Sequence, residues 1–452
     1  MISVNPANLE ILEHHTPLTQ SEIVNKINQS YADYLDWRKV PINEKSNYFF
    51  QIASSIKNNV DYHALLISSE MGKPIKEARL EVEKCAWVCE YYAENAPKFL
   101  EDRKINTDAS LSYVKYDSLG LVFGVMPWNF PYWQVFRFIA PSLMVGNVCI
   151  LKHASNVFGC AKAIEKVVSD VAPYKNIFNN LIVSSQEVPE IIQNNKVKAV
   201  TLTGSEKAGS DVAMIAGKEI KRSLLELGGS DPFIVLGDAD LDQCVPKAIL
   251  SRFLNTGQSC IAAKRFIVDK NIYNDFINRI EIEISKLVLG DPTDINTDIG
   301  PLAKDLFIEE LDAQVKHSIN CGARLICGGE RADRKGFYYK PTLLVDVDES
   351  MDVFNQETFG PVFCVMKSEN TQDALRLANK SEYGLSSSVW TTSKENAKYF
   401  VDNINSGAVF VNEMSKSDPR LPFGGINKSG YGRELSKFGL HEFVNIKTVY
   451  IK

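Results

Sequence analysis

The sequence predicts an α/β protein of two doubly wound α/β domains with a separate β arm for oligomerisation, and three observations carry that prediction. From Leu121 onward, apolar runs of strand length, tight turns and helical stretches alternate, the pattern of a parallel sheet with helices on both faces. A second pattern of the same kind begins near Gly229. Residues 108–116 alternate at period two far from the core strands, which suits an edge or an arm pairing with another subunit, and the strand-like tail 443–452 is a natural partner for it.

The 452 residues are too many for one compact domain. Hydrophobic residues at 45% and charged residues at 23% are those of an ordinary globular protein with material for a large core. A formal charge of -6 leaves no basic excess to neutralise phosphates, which argues against nucleic acid or an anionic membrane as partner. The start, Met1-Ile2-Ser3-Val4-Asn5-Pro6, has neither a basic nor an apolar leader region, and no later run is long enough to span a bilayer, so a cytoplasmic protein is expected. The nine cysteines are odd in number and scattered through apolar segments, as reduced thiols are. Cys85 and Cys89 stand four apart, but none of the six histidines is near enough in sequence to complete a zinc site, and no metal is expected.

Taken in order, residues 21–99 repeat apolar and charged positions at helical spacing, with Lys73-Pro74 as punctuation, and show no chemistry of their own. Strand 121–126, turn 127–131 and helix 132–144 follow, then strand 148–152, helix 159–171, and strands 181–184 and 197–203. Beyond Gly229, the helix-like run 243–254 precedes Cys260, and strands are expected at 264–269, 363–367, 385–391 and 408–412. Ligands of such sheets bind at the carboxyl ends of the strands, and the unusual residues fall there.

Cys260, after the turn Asn255-Thr256-Gly257-Gln258-Ser259, is the candidate nucleophile; alone it reads equally as a small buried hydrophobe. Glu226, in Leu224-Leu225-Glu226-Leu227-Gly228-Gly229, is a carboxylate ending an apolar strand, where desolvation raises its pKa and suits it to act as a base; a solvated strand-end Glu is the plain alternative. Asn129, in Pro127-Trp128-Asn129-Phe130-Pro131, opens a helix and is placed either to donate to an oxyanion or simply to cap. Lys152 ends a strand and suits ribose hydroxyls or a phosphate, although a strand-end Lys is usually just solvated. Thr203-Gly204-Ser205 leads into a helix whose N–H groups attract a pyrophosphate, or is a plain strand-helix turn. Gln356-Glu357-Thr358-Phe359-Gly360-Pro361 offers a carboxylate for a ribose and an aromatic to flank a nicotinamide, unless it is a turn with an exposed Glu.

Together these motifs resemble the aldehyde dehydrogenase superfamily over nearly the whole chain. Pro-Trp-Asn-Phe-Pro, Leu-Glu-Leu-Gly-Gly, Asn-Thr-Gly-Gln-Ser-Cys, Glu-Thr-Phe-Gly-Pro and Pro-Phe-Gly-Gly occur in the family's order. The resemblance implies a cofactor-binding domain of residues 1–99 and 119–228, a catalytic domain of 229–424, an arm of 100–118 and 442–452, and a homodimer or homotetramer. It gives Cys260 the thiol role, Glu226 the base and Asn129 the oxyanion donor, with Lys152 among the catalytic set. Trp128, Lys152, Ser155, Thr203, Gly204, Ser205, Leu227, Glu357 and Phe359 fall to the cofactor. The chemistry implied is addition of the Cys260 thiolate to an aldehyde, loss of hydride to NADP or NAD, and hydrolysis of the thioester by water that Glu226 activates.

Trp133, Arg137, residues 153–156 and Gly439-Leu440-His441-Glu442-Phe443 resemble the shorter succinate semialdehyde dehydrogenases in particular. Asn129, Trp133 and Arg137 are spaced by four, which places them on one helix face, and Arg137 there suits a substrate carboxylate; a structural ion pair is the alternative. A second Arg that some relatives carry six residues before the nucleophile is Leu254 here, so Ser417 is the candidate for the missing contact, with Trp133 and Ser259 completing the substrate set. Ser155 stands where relatives preferring NAD place a Glu, and a hydroxyl beside Lys152 accepts a 2′-phosphate, so NADP is the expected cofactor. The readings left open are a general aliphatic or aromatic aldehyde dehydrogenase, a cofactor-free thiol hydrolase, for which no His is placed, and a non-catalytic protein on the same fold.

Overall fold

In the computed structural model, which describes residues 1–452, a short β-hairpin, Ile2–Val4 with Ile11–His14, leads into four helices. These are Gln20–Trp37, Ile42–Asn58, Val60–Met71 and Ile75–Phe99. The first begins one residue before the expected start because Thr19 and Glu22 form a reciprocal capping box. Gly72, at φ 81°, ends the third helix, and Lys73-Pro74 separates it from the fourth.

The first large sheet has the order Gly430–Tyr431, Arg222–Glu226, Val197–Thr203, Leu121–Met126, Val148–His153, Phe178–Asn180. All neighbours are parallel except the antiparallel edge strand Gly430–Tyr431, which returns from far along the chain. The order reverses between Leu121–Met126 and Val197–Thr203, which opens a crevice at their carboxyl ends. The expected strand at 181–184 lies earlier, at Phe178–Asn180. Side chains reach both of its asparagines: Asn179 Nδ2 donates to Ser30 Oγ at 2.8 Å, and the Asn180 backbone N–H to Glu165 Oε1 at 2.8 Å.

The second large sheet runs Arg324–Cys327, Thr342–Val345, Val362–Ser368, Ala263–Asp269, Asp231–Val235, Ser387–Trp390, Val409–Val411, parallel but for the first. Both faces are covered: Phe233, Val235, Phe266 and Val268 enter one core, Ile234 and Ile267 the other. A strand buried on both faces reads as a continuous apolar run, and the strands expected at 264–269, 363–367, 385–391 and 408–412 all belong to this sheet, whereas Asp231–Val235, Arg324–Cys327 and Thr342–Val345 were not expected. A third, antiparallel sheet joins Arg103–Lys104, Leu111–Ser118 and Val444–Ile451, the last two in register from Val444 opposite Ser118 to Ile451 opposite Leu111. No helix is long and apolar enough to cross a membrane.

Candidate active site

The nucleophile loop follows helix Leu241–Phe253 as a single tight turn, Leu254–Gly257. Asn255 (φ 56°), Thr256 (φ 56°) and Gly257 (φ 75°) are consecutive left-handed residues. For a β-branched residue such as Thr256 that conformation costs about 1–3 kcal/mol, so the surroundings must hold it. They do so from several parts of the chain. Asn255 N donates to Glu77 Oε2 at 2.6 Å, and Asn255 Nδ2 to Asn129 O and Gln258 O at 2.8 and 2.9 Å. Gly300 N donates to Thr256 Oγ1 at 3.0 Å and Ala303 N to Gln258 Oε1 at 3.0 Å. Buried Arg252 donates to the carbonyls of Ala263, Gly257, Thr358 and Gly360. Only glycine fits at 257, since a Cβ there would lie 2.2 Å from Gly360 O.

Cys260, half-buried at the end of this loop, is the shared wall of two cavities. Lys264 fixes the backbone behind it, its Nζ donating to Ser259 O at 2.8 Å and Cys260 O at 2.5 Å. Burial pushes the thiol up to about 12, against the pull of Lys264 and Arg137. Alkylation of Cys260 by iodoacetamide in the free protein should therefore rise about tenfold per pH unit between about pH 7 and 10. Mass spectrometry of its peptide measures this, and a plateau near neutral pH would contradict it.

Asn129 is also at this junction. Its Nδ2 donates to Gln258 O at 3.1 Å while its Oδ1 accepts from Gln134 Nε2 at 3.1 Å, which fixes the amide with its N–H side toward the nucleophile loop. The expectation that Asn129 opens a helix and shares its face with Trp133 and Arg137 is corrected: the helix is Trp133–Val145, and Asn129 lies in the turn before it. The cap comes from elsewhere, since Glu81 Oε1 accepts from Tyr132 N at 2.9 Å and Trp133 N at 3.0 Å.

The first cavity, about 880 Å³ with its open mouth, is lined by Cys260, Ser259, Leu254, Trp133, Arg137 and Ser417 among others. Thus the four residues expected to bind substrate meet in one space with the thiol. Arg137 is 2% exposed, ion-paired with the equally buried Glu434, and stacked 4.5 Å over Phe423. Helix Ile75–Phe99, expected to carry no chemistry, in fact lines this cavity. Glu77, Glu81 and Lys84 are spaced to share one helix face, and that pattern was the signal to find them by.

The second cavity, about 830 Å³, opens at the crevice of the first sheet and is lined by Trp128, Asn129, Thr203, Gly204, Ser205, Leu227, Cys260, Glu357 and Phe359, with Phe307. Trp128 stacks on Phe307 at 4.9 Å and meets Phe359 edge-on at 5.8 Å; Phe307 carries no sequence motif and was missed. Ser205 caps helix Glu206–Lys218, whose first-turn N–H groups have no acceptor within the helix. The Gly204 N–H is taken by Glu226 O at 3.0 Å. Glu357 Oε1 accepts from Gly229 N at 3.1 Å and pairs with Lys264 at 3.3 Å, tying the expected ribose contact to the loop that carries the thiol.

Lys152 and Ser155 lie outside that lining, at the end of the neighbouring strand, with Ser155 exposed. Burial lowers the Lys152 ammonium, a second cation, Lys304, lowers it further, and Glu187 opposes them. Glu226 differs from the expected geometry: it ends its strand as predicted, but its carboxylate lines neither cavity. Both oxygens are buried without a hydrogen-bond partner, and burial followed by Glu434 holds the group well above the usual carboxylate range.

The cleft at the carboxyl ends of the first sheet and the second cavity thus meet at one cysteine, between two doubly wound sheets. The sequence pattern of the aldehyde dehydrogenase family matches residues 1–449, and the chain belongs to that family. A protein of Synechocystis sp., named a probable succinate-semialdehyde dehydrogenase (NADP(+)), is 45% identical over 449 residues, 99% of each chain. Succinate-semialdehyde dehydrogenase (NADP(+)) 1 of Mycobacterium tuberculosis is 44% identical over 452 residues, again 99% of each. Among solved structures, the succinic semialdehyde dehydrogenase of Streptococcus pyogenes in complex with NADP+ superposes with a TM-score of 0.97 at 36% identity, covering 100% of this chain and 99% of that one.

Proposed function

We propose that this protein oxidises succinate semialdehyde, or a short aldehyde like it with a terminal carboxylate, to the acid with NADP. The observation that carries the reading is Cys260 as the common wall of the cleft at the first sheet and of a cavity whose lining carries Arg137, Lys84 and Lys416. The relatives described above carry names that give this substrate and this cofactor, which supports it.

The cleft residues fit a dinucleotide: the N-terminal turn of the helix that Ser205 caps, the buried and unpartnered Thr203 hydroxyl beside it, and the aromatic wall of Trp128 and Phe359. Lys152, Lys304 and the exposed Ser155 hydroxyl suit a 2′-phosphate. Bound NADP supplies the acceptor for the hydride leaving the substrate carbon. The chain's own residues do the rest. The Cys260 sulfur adds to the aldehyde carbon, and the Asn129 amide and the Cys260 N–H receive the oxyanion. Glu226, whose burial raises its proton affinity, turns toward Cys260 as the carboxylate and takes a proton from the hydrolytic water, whose oxygen bonds to the thioester carbon as the Cys260 sulfur leaves.

The same reading assigns residues 1–99 and 119–228 to the cofactor, 229–424 to catalysis, and 100–118 with 442–452 to an arm. The arm's exposed Leu111, Ile446, Tyr450 and Ile451 support assembly as a homodimer or homotetramer, and nine free thiols suit the cytoplasm. One observation favours a general aldehyde dehydrogenase instead: Glu434 already neutralises Arg137. Rates of NADPH and NADH formation with succinate semialdehyde, hexanal and benzaldehyde decide between them, and equal use of all three would overturn the carboxylate reading. Ser155→Glu should lower kcat/KM for NADP at least about tenfold relative to NAD, because a carboxylate beside Lys152 repels the phosphate. An unchanged ratio would remove Ser155 from the phosphate site.

A further inference from the structure

Behind Cys260 lies a buried cation that no step of the proposed reaction uses. Lys264 stands near the start of strand Ala263–Asp269, and its side chain is wholly buried. An ammonium taken out of water is costly unless it finds partners, so a lysine in such a place has a use for them. Lys264 finds them in the nucleophile loop: its Nζ donates to Ser259 O at 2.8 Å and to Cys260 O at 2.5 Å, the carbonyls on either side of the Cys260 Cα. The space around them is closed, since a Cβ on Gly229 would lie 2.8 Å from Cys260 O. Glu357 pairs with the ammonium at 3.3 Å, and its Oε1 also accepts from Gly229 N at 3.1 Å. A second carboxylate, Asp231, faces Lys264 from farther away and is engaged by Ser386 N at 3.1 Å. The other cations nearby are committed elsewhere. Arg137 is ion-paired with Glu434, and Arg265 donates to the carbonyls of Ser230, Leu377 and Ala378.

We propose that Lys264 is the positioning residue that sets the reactivity of the Cys260 thiol: its ammonium clamps the carbonyls on both sides of the cysteine and supplies the positive charge that favours a thiolate, while Glu357 limits that charge. Four charged groups act on the sulfur. Lys264 and Arg137 favour the thiolate, Lys264 more strongly, whereas Glu357 and Glu226 oppose it. The pairing of Lys264 with Glu357 therefore makes two substitutions act in opposite directions. Loss of Lys264 removes the main pull against burial, and loss of the Glu357 charge leaves that pull unopposed by its nearest partner.

The test reads the thiol directly. Full-length wild type, Lys264→Met, Glu357→Gln and the double variant are alkylated with iodoacetamide at about pH 8 without cofactor, and mass spectrometry follows the Cys260 peptide, with exposed Cys321 as internal control. Alkylation follows the thiolate fraction, so Lys264→Met should slow it at least ~10-fold and Glu357→Gln should speed it at least ~3-fold. The double variant should return to within ~3-fold of wild type, because the two charges act on one sulfur. A merely structural lysine gives no such reversal: a loosened loop exposes the thiol and speeds its alkylation, and removing the Glu357 charge does not undo that. If methionine prevents folding, judged by circular dichroism, Lys264→Gln takes its place with the same expectations. Unchanged or faster alkylation on loss of Lys264, or a Glu357→Gln effect of the same sign, overturns the proposal. The inference rests on Cys260 as the nucleophile, whose failure shows separately: aldehyde oxidation that survives Cys260→Ala overturns that reading and leaves these alkylation rates as they stand.

Discussion

Cys260→Ala should lose at least ~10⁴-fold in kcat for aldehyde oxidation while folding normally and still binding NADP. The size of the loss follows from the geometry: Cys260 is the one side chain named as nucleophile that lines both cavities, and no other cysteine borders either. Replacing a half-buried thiol with a methyl group removes one atom, and the surrounding hydrogen bonds, made by Asn255, Lys264 and Arg252 to backbone carbonyls, do not involve the sulfur. Single-turnover NADPH formation together with NADP titration of the tryptophan fluorescence measures both parts. Residual activity within about tenfold of wild type would move the nucleophile elsewhere.

Arg137→Met should destabilise the protein by about 3–5 kcal/mol, because it leaves Glu434 buried without its cation. The neighbourhood makes relief difficult. Burial and Glu442 already raise Glu434, and Arg137 is the largest influence opposing burial there. The side chain left behind must become protonated or draw in water, and either disturbs the Phe423 loop that Glu434 pins through reciprocal backbone bonds of 2.8 and 2.7 Å. Urea unfolding of wild type, Arg137→Met and Arg137→Met/Glu434→Leu provides the measurement. The double variant should recover much of the loss, since an apolar pair needs no counter-charge. A single-variant cost below about 1 kcal/mol would mean that the ion pair is dispensable.

Comparison of these residues with the sequence shows which physics is local. The strands 121–126 and 197–203 were legible because double burial enforces unbroken apolar runs. The arm pairing was legible because 108–116 alternate at period two in the sequence and the tail also reads as a strand. The partner of Arg137 was not, since Glu434 reaches it only through the return of the chain to the first sheet at Gly430–Tyr431. Lys84 escaped notice because a Lys on an amphipathic helix normally faces water, and only the docking of Trp133 and Ser417 around it turns that position inward. The left-handed Asn255 and Thr256 ran against local preference and are set by contacts from distant segments.

The nucleophile loop depends on those distant segments for its shape. Glu77 belongs to the helical opening of the chain, Asn129 to the first sheet, Gly300 and Ala303 to the connection after the second sheet begins, and Gly360 to a turn later still. The Cys260 loop is therefore held as a keystone is, from every side. A nascent or truncated chain lacking any one of these supports presents an ordinary thiol with no pocket around it, so the protein gains its chemistry only when its architecture is whole.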